Sequence, residues 1–330
     1  MSDGQELVGR SPAWLKLTET LSAVAPTPLP VTLHGETGTG KEVAARWLHE
    51  QSGRRGPFIP VDCAAMSPTL VESELFGHER GAFTGADRRR TGLVAAASRG
   101  TFFLDEVAEL PLEVQTRLLR LLQEGTYRPV GGSAELEADV RVVAASWKDL
   151  AHEVRAGRFR QDLYHRLSVV VVHLPPLRER PEDVPLLFET FLREEIGRLG
   201  RAVPRLAPEA RAQLLRWPWP GNVRELRNAA RYVAALCDGP RIEVKDFPPS
   251  LQGPAPERVA RDVLGDLLRA DLPYMEARRQ WLDAFQLHYI RVLLEEHEGN
   301  ISRAARAAQM DRRSIQRMVK RLREVESSEE

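Results

Sequence analysis

His34-Gly35-Glu36-Thr37-Gly38-Thr39-Gly40-Lys41-Glu42 decides the fold. Its glycines let the backbone wrap a phosphate with amide N–H groups turned inward, and the helix that follows offers its positive N-terminus. Lys41 is one of only five lysines among 47 basic residues, and at this spacing it would reach β- and γ-phosphates. Such a loop usually closes on Gly-Lys-Ser/Thr, whereas here Glu42 stands where a Mg²⁺-touching hydroxyl would be. A plain glycine turn is the alternative reading. Context favours the phosphate: Val31-Thr32-Leu33-His34 reads as a strand before the loop and Lys41–Gln51 as a helix after it.

Working outward, four more apolar runs have strand character: Phe58-Ile59-Pro60-Val61, Thr101-Phe102-Phe103-Leu104, Val140-Arg141-Val142-Val143-Ala144-Ala145 and Val169-Val170-Val171-Val172. None alternates strictly, as expected for strands buried on both faces of a parallel sheet. Helical segments lie between them, for example at 112–123, so residues 1–177 read as a doubly wound α/β subdomain. The third run ends in Asp105-Glu106. A carboxylate at a buried strand tip beside a phosphate loop can hold Mg²⁺, and its neighbour can deprotonate an attacking water. A surface acidic pair is the alternative.

After Leu174-Pro175-Pro176 the chain reads helical with no good strand, and residues 178–250 are expected to form a helical subdomain. Prolines and glycines then suggest a linker over 251–284, and 285–325 reads as a last helical domain.

Composition narrows the function classes. Lys+Arg and Asp+Glu are both 47, which argues against a uniformly basic nucleic-acid coat and an acidic disordered chain. No apolar run approaches a membrane span, and Met1-Ser2-Asp3-Gly4-Gln5-Glu6 lacks a secretory pattern. Two cysteines, Cys63 and Cys237, make no disulfide framework; a reducing cytoplasm is expected.

Three stretches together resemble the AAA+ activators of sigma-54 RNA polymerase, the bacterial enhancer-binding proteins: residues 35–42, Gly81-Ala82-Phe83-Thr84-Gly85-Ala86, and Trp219-Pro220-Gly221-Asn222-Val223-Arg224-Glu225-Leu226. The resemblance covers about residues 6–250, with a weaker one over 285–323. It implies an AAA+ P-loop sheet with a helical lid, ATP and Mg²⁺ as cofactors, and a homo-oligomer from dimer to hexameric ring. The Lys-Glu ending of the loop is usual there. Gly35, Glu36, Thr37, Gly38, Thr39, Gly40, Lys41 and Glu42 would bind nucleotide, Asp105 would hold Mg²⁺, and Glu106 would polarise water. The 81–86 stretch would be a surface loop gripping sigma-54, with Phe83 as an apolar anchor and Thr84 as its polar partner. A second glycine loop, 125–133, is expected beside it.

The resemblance also gives Arg160 and Arg166 a role in trans, on the nucleotide of a neighbouring subunit, where a planar permanent cation suits developing phosphoryl charge. For either arginine an ion pair with Asp162 or a solvated helix face is the alternative. Arg224 would sense the γ-phosphate in cis and move the lid. Two sensor positions depart from the family. Asp62 replaces an asparagine held to restrain the catalytic glutamate, and an ionised aspartate would repel Glu106. Ser146-Trp147 replaces Thr-Asn; Ser146 still offers a hydroxyl, but the Trp147 side chain cannot copy an amide.

Towards the C-terminus, residues 299–305 and 311–322 look like two helices joined by a turn, similar to a Fis-type helix-turn-helix. Gln309 replaces the usual turn glycine. Eight basic residues against the single acid Asp311 over 299–323 are the footprint of DNA binding. Arg312, Arg313, Gln316, Arg317 and Lys320 would meet enhancer DNA. Ile315, Met318, Val319 and Leu322 form the buried stripe, and Leu287, Ile290, Leu293 and Leu294 offer a face that could pair two chains. The expectation is an ATP-hydrolysing activator that remodels the sigma-54 RNA polymerase holoenzyme. The alternative is a DNA-binding regulator with a degenerate ATPase, in which nucleotide is only structural. No sensory segment precedes the ATPase, so either a separate regulatory protein controls the chain or it is a fragment. No membrane partner is expected.

Overall fold

The computed structural model describes residues 7–253, 273–297, 300–308, 310–311, 315–316 and 318–319. The chain divides into two compact units, one ending at Pro254 and the other beginning at Ala255.

The first unit is built on a five-stranded parallel sheet. Its strands are β1 (Val31–His34), β2 (Phe58–Asp62), β3 (Thr101–Asp105), β4 (Arg141–Ser146) and β5 (Val170–His173), in the order β2-β3-β4-β1-β5. The three central strands are buried almost throughout, as a parallel sheet covered by helices demands. The edge strands β2 and β5 are only partly covered, so burial on both faces holds for the centre alone. Each edge strand has one neighbour, and its outer flank meets solvent.

Strand alternation sorts the core into two layers. Phe102, Leu104, Val142 and Ala144 join one cluster with Leu118, Leu121 and Leu163. Phe103, Val143, Ala145, Val31 and Leu33 face the other way, onto α1 (Pro12–Val24) and α2 (Lys41–Gln51). Helix α1 starts because Pro12 follows Ser11, whose hydroxyl accepts from the Trp14 N–H at 3.3 Å. It buries Trp14, Leu17, Leu21 and Val24 at helical spacing. Arg141, 2% exposed, donates to the carbonyls of Val24 and Ala25 that end α1.

Residues 177–253 form a helical subdomain of the same unit, led by helices Asp183–Arg198 and Asn222–Leu236, which pack on one another. It is not wholly helical: Arg205–Leu206 and Arg241–Ile242 pair as a two-residue parallel ladder. Two residues are too few to leave a periodic signal.

In the second unit a helix spans Tyr274–Glu296, beginning inside the stretch expected as linker. Pro273 precedes it and accepts from the Glu276 and Ala277 N–H groups. A second helix, Ile301–Ala307, is capped by Asn300, whose side-chain oxygen accepts from the Arg303 N–H at 3.1 Å. Ile290, Leu293, Ala304, Ala305, Ile315 and Val319 form the core, with Leu294 and Met318 against it. Of the face expected to pair two chains, Ile290 and Leu293 are instead buried in the unit's own core, and Leu294 is partly buried against it. Leu287, Gln309, Arg312, Arg313, Arg317, Lys320 and Leu322 lie outside the residues whose side chains are described; Gln316 is exposed. Among the described residues no helix is long and apolar enough to cross a membrane.

Candidate functional site

The C-terminal ends of parallel strands are where α/β sheets bind ligands, and the sequence-singled residues gather there. The loop 35–40 leaves β1 and enters α2. Gly38 and Gly40 lie at φ 82° and 105°, in the left-handed region. A Cβ on Gly38 would come within 2.4 Å of the Gly221 carbonyl, while Gly40 faces open space. Glycine at position 38 is thus a close-approach requirement, whereas at position 40 it is the left-handed backbone that favours glycine.

Lys41 is 6% exposed. Its Nζ donates to the Gly35 carbonyl at 2.9 Å and lies 3.2 Å from Glu106 Oε1. Glu106 also takes the backbone N–H of Trp147 on Oε2 at 3.1 Å. Its φ is 53°, a left-handed conformation costing a non-glycine residue about 1 kcal/mol or more. That conformation turns the chain sharply after Asp105 and swings the carboxylate beneath the loop.

Asp105 accepts the Glu106 N–H on Oδ1 at 3.1 Å. Its carboxyl is pushed upward, first by burial and then by the Glu106 charge. A hard divalent cation would relieve both. Among the described residues no group of three or more His, Cys, Asp or Glu could hold a metal. A Mg²⁺ at Asp105 would therefore draw most of its oxygen ligands from phosphate and water, which is its habit.

The sensor positions behave differently from simple expectation. The Asp62 carboxylate accepts from its own Ala64 and Ala65 N–H groups at 3.0 and 3.2 Å. It is turned onto the backbone rather than against Glu106. The Ser146 hydroxyl is fully buried and exchanges bonds with Lys148, donating to its carbonyl and accepting from its N–H. Trp147 is 53% exposed, with the Lys148 ammonium 5.7 Å from its ring centroid.

Arg224 sits two residues inside the helix Asn222–Leu236, its Cβ 3.2 Å from where a Gly38 Cβ would lie. Its guanidinium has no partner among the described residues; Glu225 bonds Trp217 Nε1 and the Gly221 N–H instead. Arg160 is the N-cap residue of the helix Gln161–Leu167 and Arg166 lies in its last turn, both outside the loop–strand cluster. Arg160 is forked onto Asp162 at 2.7 and 3.1 Å, the ion pair weighed from sequence, whereas Arg166 is exposed and unpaired among the described residues.

The 81–86 stretch is a closed surface turn. Gly81 N–H donates to the Ala86 carbonyl at 2.8 Å, and Ala86 N–H to Phe83 at 3.0 Å. Phe83 is 38% exposed, with its ring 4.9 Å from that of His78. Thr84 is exposed. The second glycine loop lies alongside: Glu79 N–H donates to Val130 at 3.0 Å, and a Cβ on Gly131 would meet Ala82 at 2.7 Å.

Three residues, Arg178, Arg180 and Asp183, escaped sequence reasoning, as did the side-chain bonds of Asn222. Arg178 forks onto Glu36 at 2.7 and 2.8 Å. Asn222, fully buried and at φ 52°, donates to Glu36 at 3.2 Å and to the Thr37 carbonyl at 3.1 Å. Arg180, 1% exposed, stacks 4.2 Å from the Trp14 ring centroid, and burial lowers its pKa to about 10. Asp183, fully buried, accepts from the Arg10 and Ser11 N–H groups and the Ser11 hydroxyl. The double proline before Leu177-Arg178-Glu179-Arg180 was the available signal, masked by the abundance of arginine.

Comparison with known proteins gives a consistent result. The sigma-54 interaction domain family matches residues 7–173, and the AAA+ ATPase lid domain matches residues 178–263. Transcriptional regulatory protein ZraR of Klebsiella oxytoca is 43% identical over 310 residues, covering 94% of this chain and 67% of that protein. DNA-binding transcriptional regulator NtrC of Azospirillum brasilense is 43% identical over 335 residues, covering 96% and 69%. A crystal structure of NtrX from Brucella abortus in complex with ATP superimposes with a TM-score of 0.71 at 35% identity, covering 96% and 69%. The chain thus spans about two thirds of the length of these relatives.

Proposed function

The chain belongs to the sigma-54 interaction domain family, and on that premise we propose that it hydrolyses ATP, as a ring of subunits, to remodel the sigma-54 RNA polymerase closed complex and activate transcription. The observation that carries this reading is the convergence of Lys41, Asp105 and Glu106 beneath the glycine loop. In it, Lys41 and the Gly38 and Gly40 N–H groups take the phosphates. Glu106 accepts a proton from the attacking water. Mg²⁺, when bound at Asp105, supplies charge neutralisation on the phosphate oxygens. Arg160 and Arg166 act on a neighbour's nucleotide, Arg224 reads its own, and the exposed Phe83 and Thr84 engage sigma-54. Enhancer DNA is taken by the basic C-terminal segment. That an ATP complex of the related NtrX crystallised supports nucleotide binding by this fold.

Steady-state ATPase of the purified chain, with and without sigma-54, tests the reading. Turnover that responds to sigma-54 is the expected result. Tight nucleotide binding without turnover would instead support a DNA-binding regulator in which nucleotide is structural, with Asp62 as first suspect.

A further inference from the structure

The lid holds the glycine loop from behind. Three consecutive loop carbonyls are each taken by a lid donor: Thr37 by Asn222 Nδ2 at 3.1 Å, Gly38 by the Val223 N–H at 2.9 Å, and Thr39 by Arg180 Nη2 at 3.2 Å. In a trans peptide the carbonyl and the next residue's N–H point in opposite directions. Drawing these carbonyls towards the lid therefore turns the N–H groups of Gly38, Thr39 and Gly40 away from it. The Thr39 N–H closes a turn on the Glu36 carbonyl at 3.3 Å, leaving those of Gly38 and Gly40 for a ligand.

Glu36 is the side chain that ties the two parts together. A carboxylate in a phosphate-binding loop opposes its own ligand electrostatically, so its presence needs a reason. Here Arg178 neutralises it through two bonds, and Asn222 adds a third. Asn222 in turn accepts the Leu177 N–H on Oδ1 at 2.8 Å, which locks its amide orientation. The Arg178 fork holds the Glu36 carboxyl below its ordinary range.

We propose that Glu36 is a positioning residue: through Arg178 and Asn222 it makes the lid the back wall that aims the Gly38 and Gly40 N–H groups, so that lid position and nucleotide affinity form one equilibrium. This rests on the nucleotide-binding reading above. Because coupling is reciprocal, a lid displaced by a neighbouring subunit loosens the phosphate site, and a departing phosphate frees the lid.

The experiment uses the full chain and N-methylanthraniloyl-ADP. Glu36→Ala is expected to raise Kd by about 5- to 150-fold, the ordinary span of coupling between two sites. Amide hydrogen exchange should rise together in residues 35–41 and 220–226 and nowhere else. Glu36→Gln, which keeps one acceptor oxygen for Asn222 and Arg178 but loses the two-oxygen fork, should recover part of both changes; a merely structural lesion would not. Asn222→Gly offers a second route, since glycine accepts the φ of 52° and only the side-chain bonds are lost. If Glu36→Ala folds and binds the probe as tightly as the unmodified chain, the latch is overturned while nucleotide binding stands. If the unmodified chain fails to bind the probe, the functional reading itself falls.

Discussion

The Lys41 ammonium lies 3.2 Å from the Glu106 carboxylate, and the two side chains are only 6% and 16% exposed. A partly buried pair of this kind is kept because each charge would otherwise lack a partner. An incoming phosphate competes for the same ammonium. As Lys41 turns to it, Glu106 retains only the Trp147 N–H and becomes available to a water. On the proposed reading, the base Glu106 is thus held by Lys41 until a phosphate competes for that ammonium.

Glu106→Gln should therefore keep nucleotide binding and lose turnover. The amide preserves the shape and can still accept a hydrogen bond, but it cannot take a proton from water. Loss of general-base help costs about 10²–10⁴-fold. Steady-state ATPase beside equilibrium nucleotide binding checks it; more than half the unmodified rate would remove Glu106 from its role.

Trp147→Ala should change turnover by less than about 3-fold, far below the 10²–10⁴ expected for loss of a base. The contact to Glu106 runs through the Trp147 backbone N–H, which the substitution keeps, and the ring is 53% exposed. The same ATPase assay decides; a Trp147→Ala rate as low as that of Glu106→Gln would mean that the indole itself acts.

The sheet, the phosphate loop and the Asp105-Glu106 pair were legible because each leaves a local signature: apolar runs, spaced glycines, and carboxylates at a strand end. What stayed hidden depends on long-range contact. Glu36 was expected to meet nucleotide with the rest of the loop, yet its side-chain partners Arg178 and Asn222 lie 142 and 186 residues away. Trp147 looked like a defect because the side chain was judged, whereas the backbone makes the bond. Ile290 and Leu293 looked free to pair two chains because nothing local shows that the helix Ile301–Ala307 covers them.

Arg160→Ala and Arg166→Ala should each lower turnover, and mixing either with Lys41→Ala subunits should recover part of it. A mixed ring contains some sites with an intact loop from one subunit and intact arginines from the next. Arg160 is forked onto Asp162 within its own chain, so it must exchange that partner to serve a neighbour. Mixed rings that form, as shown by pull-down of one tagged subunit, and yet recover nothing would rule out action in trans.

Cys63 and Cys237 should resist iodoacetamide at pH 8 in the native chain and react after denaturation. Both are buried, and burial pushes both thiols up. The reactive thiolate is correspondingly scarce. A raised thiol favours the native state below the unfolded value near 8.5, and that contribution is lost as pH rises beyond it. Denaturation midpoints at pH 7 and pH 10 should fall in that order, and less so after both cysteines become alanine.

Thr84→Ala should leave DNA binding and most basal ATPase intact while removing promoter opening. Residue 84 sits at the tip of the 81–86 turn, which is held by its own backbone bonds from Gly81 to Ala86 and from Ala86 to Phe83. The Thr84 hydroxyl is exposed and makes no hydrogen bond among the described residues. Its loss should therefore change stability by less than about 0.5 kcal/mol. Among the described residues the turn's hydrogen bonds run to its own and the adjoining backbone and not to Lys41, Asp105 or Glu106, so nucleotide chemistry has no reason to change. At the centre of a small interface, however, one residue can be worth roughly 2 kcal/mol or more. Phe83 beside it supplies an apolar surface that His78 only partly covers. A polar hydroxyl next to an apolar anchor is the arrangement that orients a docked partner. Open-complex formation by sigma-54 polymerase on a fully duplex promoter, run beside ATPase on the same preparation, separates the two activities. If Thr84→Ala opens the promoter as well as the unmodified chain, the turn does not engage sigma-54 through this residue.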